Sequence, residues 1–133
     1  MVQVSDEQFD ELINAGLAAI PKLYQQKLEN VAVVTQDEPT PEQRVKLNLY
    51  PNETLLGLYE GTPLPQRQGT IKLLPDKITL FKNPLQNASR DLEDLKENIR
   101  HTVWHEVAHY YGLDHKRIHE LDGKAHNNQQ RQH

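Results

Sequence analysis

The eleven residues from His105 to His115, with the sequence HEVAHYYGLDH, constrain this chain more than any other segment. On an α-helix, side chains four residues apart lie on one face about one turn apart, so His105 and His109 can bind one metal ion together. Glu106 lies beside that pair. Gly112 can adopt the left-handed conformation that ends a helix and turns the chain back. We therefore expect His115 to be the third metal ligand.

Three neutral imidazoles predict a catalytic zinc ion rather than a structural one. A tetrahedral zinc ion with three protein ligands keeps one position for water, whereas structural zinc sites have four protein ligands. Neutral ligands leave the ion its full charge, which lowers the pKa of a bound water to about 7. Glu106 would take a proton from that water and pass it to the leaving amine. The alternative for Glu106 is an ordinary helix carboxylate paired with a lysine or arginine.

The helix that carries the motif is predicted to be buried. Its apolar side chains form one stripe at helical spacing, on the side opposite His101, His105 and His109. The stripe consists of Leu92, Leu95, Ile99, Val103, Val107 and Tyr110, and the flank between the stripe and the histidines consists of Trp104, Ala108 and Tyr111. Buried histidines beside a carboxylate indicate the wall of a cleft rather than a solvated surface.

Several neighbouring side chains have roles that the sequence leaves open. His101 could orient His105, contact the substrate, or be a fourth ligand that closes the site. We favour a non-ligand role for His101 because the third ligand of such motifs lies downstream. Asp114 could touch the metal or orient a ligating imidazole, and His119 could orient one or be solvated. The residue that stabilises the oxyanion is also open, and the candidates are Tyr59, Tyr110, Tyr111, Arg117 and His119.

The motif resembles that of the zincin metallopeptidases, and its long form is shared with the metzincins. Metzincins continue into a turn that contains methionine, but the only methionine here is Met1. The chain is more similar to a family of small bacterial proteins described as minimal zincin-like metallopeptidases, which lack that turn. The similar segments are VAVV (31–34), LLGLYEG (55–61), LPDKITLF (74–81), RHTVWHE (100–106) and IHEL (118–121).

This resemblance covers about residues 5–121 and implies a fold, a cofactor and an activity. The implied fold is α+β and zincin-like, with a small mixed sheet, an N-terminal helix, a central metal-binding helix and a short C-terminal helix. The implied activity is that of a zinc-dependent metallopeptidase of the endopeptidase type. In that family the third ligand is often an aspartate, whereas the aligned residue here is His115, with Asp114 before it.

Local patterns also predict a mixture of helices and strands. Ser5 and Gln8 form a capping box for an N-terminal helix, and Pro21 starts a further helical turn. A loop with a short helical turn is predicted over residues 37–52. The predicted strands cover residues 31–35, 54–60, 70–74 and 77–81.

The last part of the chain is predicted to be helical up to a polar tail. Asn83 and Pro84 end the last strand, and Ser89 can cap the helix that carries the motif. That helix ends at Gly112. Residues 115–121 are predicted to form a short final helix.

Length and composition limit the remaining possibilities. A chain of 133 residues predicts one domain over residues 1–121 and a polar, disordered tail over 122–133. The absence of cysteine excludes disulfides, and an acidic first segment without a signal-peptide pattern predicts a cytoplasmic protein. The lack of a long apolar run and the net charge of −4 predict neither a membrane nor a nucleic-acid partner. We expect a peptide or protein substrate and, although the sequence does not determine the oligomeric state, a monomer.

Two other functions compete with peptide hydrolysis. A bacterial family of rRNA maturation endoribonucleases carries a similar HxxxHxxGxDH zinc motif, and residues 112–115 match its second half. Glu106 disfavours this function because that family has no glutamate at the position. An acidic chain with few aromatic residues also lacks the basic, stacking surface that RNA binding usually uses. The other alternative is a non-catalytic zinc or peptide-binding module that keeps the fold without turnover.

Overall fold

The computed structural model describes residues 2–26, 28–61, 76–113 and 116–117, and it has the predicted α+β architecture. The helices of this part of the chain are α1 (Asp6–Ala18), α2 (Lys22–Gln25), α3 (Pro41–Lys46), α4 (Lys82–Asn87) and α5 (Leu92–Tyr110). Its strands are β1 (Val31–Gln36), β2 (Gly57–Glu60) and β3 (Asp76–Phe81), and a 3-10 turn covers Leu28–Asn30. None of these helices is both long and apolar enough to cross a membrane.

The three strands form one mixed sheet in the order β1-β3-β2. Strand β1 runs parallel to β3, and β2 runs antiparallel to it. Gly57 and Tyr59 of β2 are paired with Leu80 and Ile78 of β3, so these four residues face the same side of the sheet. Among the strands that the structure describes, β2 lies at an edge. The mixed sheet confirms the predicted fold class.

Helix α5 packs on this side of the sheet, and α1 packs against α5. This packing follows from the apolar stripe predicted for α5, because the middle part of the stripe is entirely buried. Its fully buried members are Leu95, Ile99, Val103 and Val107. Phe9 and Ile13 extend the same core from α1, whereas Leu92 at the start of α5 is 42% exposed. One side of α5 is therefore part of the main hydrophobic core.

The other side of the sheet is covered by the segment between α3 and β2. A second, smaller apolar cluster forms there from Leu55, Leu58 and Phe81, with Leu47 and Leu49 packed against it. The Arg44 guanidinium donates hydrogen bonds of 2.9 Å to the carbonyls of Tyr50 and Glu53. These bonds fix the loop in a compact form that closes the second side of the sheet.

Side-chain caps start the two long helices. The Ser5 hydroxyl accepts a hydrogen bond of 3.1 Å from the Gln8 amide, and the Gln8 side chain accepts from the Ser5 amide, which confirms the predicted capping box. The predicted cap of α5 by Ser89 is wrong, because the Ser89 hydroxyl donates to a carbonyl of α4 instead. Asp91 caps α5 by accepting from the Asp94 amide at 2.9 Å. A carboxylate at this position also interacts favourably with the helix dipole.

Two elements differ from the sequence-based expectation. Strand β2 begins at Gly57 rather than at residue 54, because the chain bends at Leu56, although the Leu56 carbonyl still accepts a hydrogen bond of 3.0 Å from the Phe81 amide. Helix α4 follows β3 directly, although Asn83 and Pro84 predict only a break. Pro84 is tolerated because it lies in the first helical turn, where a backbone N–H has no partner within the helix.

Some predicted elements lie outside the described residues. These are the strand at residues 70–74, the tail at 122–133 and most of the final helix at 115–121. Within that last segment, Lys116 and Arg117 are helical.

Candidate metal centre

Helix α5 carries two adjacent rows of side chains at four-residue steps. The first row is His101, His105 and His109, and the second row is Thr102, Glu106 and Tyr110. The second row lies against β2, because Gly57 contacts Thr102 and Glu106 and the Tyr59 ring packs edge-on against Tyr110 at 6.0 Å. Every residue from 101 to 108 is buried, which confirms that this half of the helix is enclosed on all sides.

The ring nitrogens of His105 and His109 lie close together. Their Nε2 atoms are 3.1 Å apart and their ring centroids are 4.7 Å apart. Two imidazole nitrogens bound to one tetrahedral zinc ion at about 2.0–2.1 Å lie about 3.3 Å apart. The observed spacing therefore suits two ligands of one ion, and it also suits a hydrogen bond between the rings, depending on the tautomer. His105 is 7% exposed and His109 is half-buried, so the pair lies at the border of the core.

Glu106 is fully buried beside this pair. Neither of its carboxylate oxygens has a hydrogen-bond partner among the described residues. Burial raises the pKa of Glu106 well above its ordinary value, and the nearby backbone of Tyr59 lowers that pKa by a smaller amount without reaching hydrogen-bond geometry. A buried carboxyl group without a partner is costly unless it is neutral or has a cation nearby.

Several of the other candidate site residues lie outside the part of the chain that the structure describes. His115, the expected third ligand, lies outside the described residues, as do Asp114 and His119. Within the described ranges, no group of three or more His, Asp or Glu side chains is placed to hold a metal ion. The His101 ring is 6.5 Å from the His105 ring, which is farther than the His109 ring.

The end of α5 has the backbone that the motif predicts. Gly112 has φ 75°, in the left-handed region. The Gly112 amide donates to the His109 carbonyl at 2.9 Å, and the Leu113 amide donates to the Ala108 carbonyl at 3.0 Å. This pair of bonds is the Schellman motif, which ends a helix and turns the chain back. The turn leads directly into residues 114 and 115.

Gly57 is a site residue to which the sequence analysis assigned no role. A Cβ atom added there would lie 2.6 Å from Thr102 Cγ2, 3.2 Å from Glu106 Cγ and 3.3 Å from the Thr79 carbonyl oxygen. The signal was available in the run LLGLYE, because an isolated glycine within an apolar strand often marks the close approach of another part of the chain.

The comparisons with known proteins agree with this geometry. A family model described as zincin-like metallopeptidase matches residues 28–125. The chain belongs to the zincin-like metallopeptidase family. The same fold occurs in the structure of a conserved hypothetical protein from Thermo thermophilus, with a TM-score of 0.54, 21% identity, and coverage of 90% of this chain and 98% of that chain. No curated protein matches the chain.

The side chains of this zincin-like protein suit zinc. Imidazole nitrogens are common zinc ligands, and His105 and His109 already have about the spacing that a shared ion requires. A cation beside them would also favour the ionised form of the buried Glu106 carboxyl. Both observations fit the metal that zincin-like peptidases typically bind.

The candidates for oxyanion stabilisation in this zincin-like protein have different surroundings. The Tyr111 hydroxyl donates a hydrogen bond of 2.7 Å to the Tyr24 carbonyl, so it links the end of α5 to α2. Tyr110 is 2% exposed, Tyr59 is half-buried on the edge strand, and Arg117 is exposed. Tyr111 therefore has a structural role, and the choice among the others stays open.

Proposed function

We propose that this protein is a zinc-dependent metallopeptidase that hydrolyses peptide bonds within polypeptides. His105, His109 and His115 would hold the zinc ion, and Glu106 would be the general base. The observation that supports this proposal best is the burial of Glu106, without a hydrogen-bond partner among the described residues, next to two imidazole nitrogens 3.1 Å apart. Membership in the zincin-like family supports the same function.

The chemistry of Glu106 follows from its surroundings. Zinc, when bound, would supply a Lewis acid that acidifies water and polarises the substrate carbonyl. Glu106 would accept a proton from the attacking water on a carboxylate oxygen and deliver it to the leaving nitrogen. Burial raises the pKa of the Glu106 carboxyl in the metal-free protein, whereas a bound cation would favour its ionised form, which is the form that accepts the proton. Its burial also keeps bulk water away from the transferred proton.

The position of β2 supports a peptide as the substrate. An extended peptide can add itself as a strand to a sheet edge through main-chain hydrogen bonds. In the described part of the chain, β2 is such an edge, and its residues Gly57 and Tyr59 lie against the helix row that contains Glu106. A peptide on this edge would run past Glu106.

The test compares two glutamate variants on the same helix. Glu106→Gln keeps the shape of the side chain but removes the base, whereas Glu93 is 83% exposed and pairs with Lys96, so Glu93→Gln is a matched control. We expect zinc-loaded protein to cleave an unfolded casein-type substrate and Glu106→Gln to lose at least about 100-fold in kcat while still binding zinc. Glu93→Gln should keep its activity. His105→Ala and His109→Ala should lose zinc.

The same zinc-loaded protein distinguishes a peptidase from a ribonuclease and from a non-catalytic module. Single-stranded RNA is supplied to the zinc-loaded protein in parallel with the casein substrate. Cleavage of RNA instead of peptide would identify a ribonuclease. Tight zinc binding with no turnover of either substrate would identify a non-catalytic module. Full peptidase activity in Glu106→Gln would refute the assigned base.

A further inference from the structure

Gly57 lies at a tight approach between the edge strand β2 and the helix α5. Real Cβ atoms essentially never come within 3.0 Å of another group, and a Cβ on Gly57 would be 2.6 Å from the Thr102 methyl group. The next two neighbours, Glu106 Cγ and the Thr79 carbonyl oxygen, belong to different elements and lie at 3.2 and 3.3 Å. Two of these three neighbours lie on α5 and the third lies on β3, so a Cβ atom on Gly57 would require β2 and α5 to move apart or the Thr102 side chain to shift.

Gly57 does not need to be glycine for its backbone conformation. Among the described glycines, positive φ values occur at Gly61 and Gly112, so Gly57 has a conformation that an L-residue can adopt. Glycine is therefore required at this position because of the contact with α5. The contact includes Glu106 itself, which is fully buried.

Gly16 provides an internal comparison against the same helix. It lies in α1 and also faces α5, but a Cβ added there would be 3.5 Å from Arg100 Cα and 3.6 Å from Val103 Cγ2. These are ordinary van der Waals distances, so alanine fits at Gly16. Of these two glycines, therefore, Gly57 beside Glu106 lies too close to α5 for a Cβ atom, whereas Gly16 does not.

We propose that Gly57 is a positioning residue for Glu106: the lack of a side chain sets the separation between β2 and α5, and thereby the place of the Glu106 carboxyl relative to a peptide aligned on β2. The proposal rests on the proposed peptidase function. Gly57 itself offers no reacting group. It acts through Thr102 and Glu106, which contact it from adjacent turns of α5.

The first experiment is a kinetic comparison of Gly57→Ala with Gly16→Ala. We expect Gly57→Ala to lower kcat for the casein substrate at least tenfold. The added methyl group would push Glu106 away from β2 and from the peptide that is aligned on β2. KM and the zinc dissociation constant should change less than threefold, since the histidine row and the main chain of β2 are retained. Gly16→Ala should match the wild type. An unchanged kcat in Gly57→Ala would refute the proposal.

The second experiment removes the colliding methyl group. Thr102→Ser keeps the hydroxyl but lacks the Cγ2 atom that the new Cβ meets at 2.6 Å. In the background of Thr102→Ser, Gly57→Ala should therefore lower kcat by only about three- to fivefold, because the new Cβ atom still lies 3.2 Å from Glu106 Cγ. A loss as large as in the wild-type background would show that the two positions are not coupled and would overturn the proposal.

The folding of Gly57→Ala decides how the series is interpreted. If this variant does not fold, the double variant is compared with Thr102→Ser. A folded double variant whose kcat is at least threefold lower, with unchanged zinc affinity, supports positioning. A folded double variant with equal kcat, or one that also does not fold, makes Gly57 a folding residue and overturns the proposal.

A spectroscopic measurement separates this proposal from the peptidase function. Tyr59 lies on the same face of β2 as Gly57 and packs against the helix row that contains Glu106, so the Tyr59 amide proton shift reports the separation of strand and carboxyl. In metal-free protein, Gly57→Ala should move this shift towards its value in Glu106→Ala, which removes the carboxyl group, whereas Gly16→Ala should leave it unchanged. An unmoved Tyr59 resonance would refute positioning, even if the wild type cleaves peptides. Absence of peptide cleavage by the wild type would refute the peptidase function alone.

Discussion

At the scale of single residues, Glu106 makes the metal-free protein sensitive to pH. Its pKa in the folded state is raised above the ordinary value of 4.5 by burial. The stabilising contribution of the neutral carboxyl is complete below the unfolded-state pKa, and it is lost as the pH rises towards the folded-state pKa. One proton taken up on folding corresponds to at most about 1.4 kcal/mol per pH unit.

We therefore predict that metal-free wild-type protein loses stability between about pH 4.5 and neutral pH relative to Glu106→Gln. The measurement is urea unfolding in the presence of a chelator across this range. Glu93→Gln, which changes an exposed carboxylate, should follow the wild type. Parallel stability curves for the wild type and Glu106→Gln would contradict a raised pKa for the buried carboxyl.

The residue-scale features differ in how far the sequence reveals them. The spacing of His105, Glu106 and His109 depends only on helix geometry, so the pairing of the two imidazoles follows from the motif. The role of Gly57, in contrast, depends on its contact with Thr102 and Glu106, which lie 45 or more positions later in the chain. Such a contact is a property of packing, and a single sequence contains only the unexplained glycine. The position of His115 stays a prediction.

At the scale of elements, the C-terminal end of α5 depends on a position that strongly favours glycine. Gly112 has φ 75° inside a Schellman motif, and a Cβ in the left-handed region costs about 1–2 kcal/mol. We predict that Gly112→Ala lowers the unfolding free energy by about 1 kcal/mol and weakens zinc binding, because the turn leads to His115. Gly112→Asn should be milder, since asparagine tolerates this conformation.

Chemical unfolding and zinc titration of the two variants test this prediction. Gly16→Ala is the control, because it adds a methyl group at a helical glycine with ordinary contacts. Equal zinc affinity in Gly112→Ala and the wild type would mean that the turn does not position a ligand.

The helices and their ends were predictable to different degrees. The Ser5 capping box and the Gly112 stop are local bonds within a few residues, and both predictions are confirmed. The start of α5 was misplaced by two residues because Ser89 and Asp91 are both good caps, and the packing of Ser89 against α4 decides between them. Helix α4 was not expected because Pro84 marks a break unless it lies in a first turn.

At the scale of the whole molecule, α5 joins the hydrophobic core to the candidate metal centre. Its apolar stripe packs against α1 and the sheet, and its histidine row lies on the opposite side of the same helix. A ligand that binds only the folded protein stabilises it by about 4 kcal/mol at a free concentration 1,000 times its dissociation constant. Zinc bound to His105 and His109 should therefore stabilise the entire fold rather than one loop.

We predict that saturating zinc raises Tm by about 10 °C or more, because a gain of 1 kcal/mol shifts Tm by about 3–5 °C in a domain of this size. Differential scanning calorimetry with zinc and with a chelator measures the shift. His105→Ala should lose most of it, whereas His126→Ala, which removes a histidine outside the motif, should keep it. A zinc-dependent rise of equal size in His105→Ala would place the stabilising ion elsewhere in the protein, and α5 would then have no part in coupling metal binding to the core.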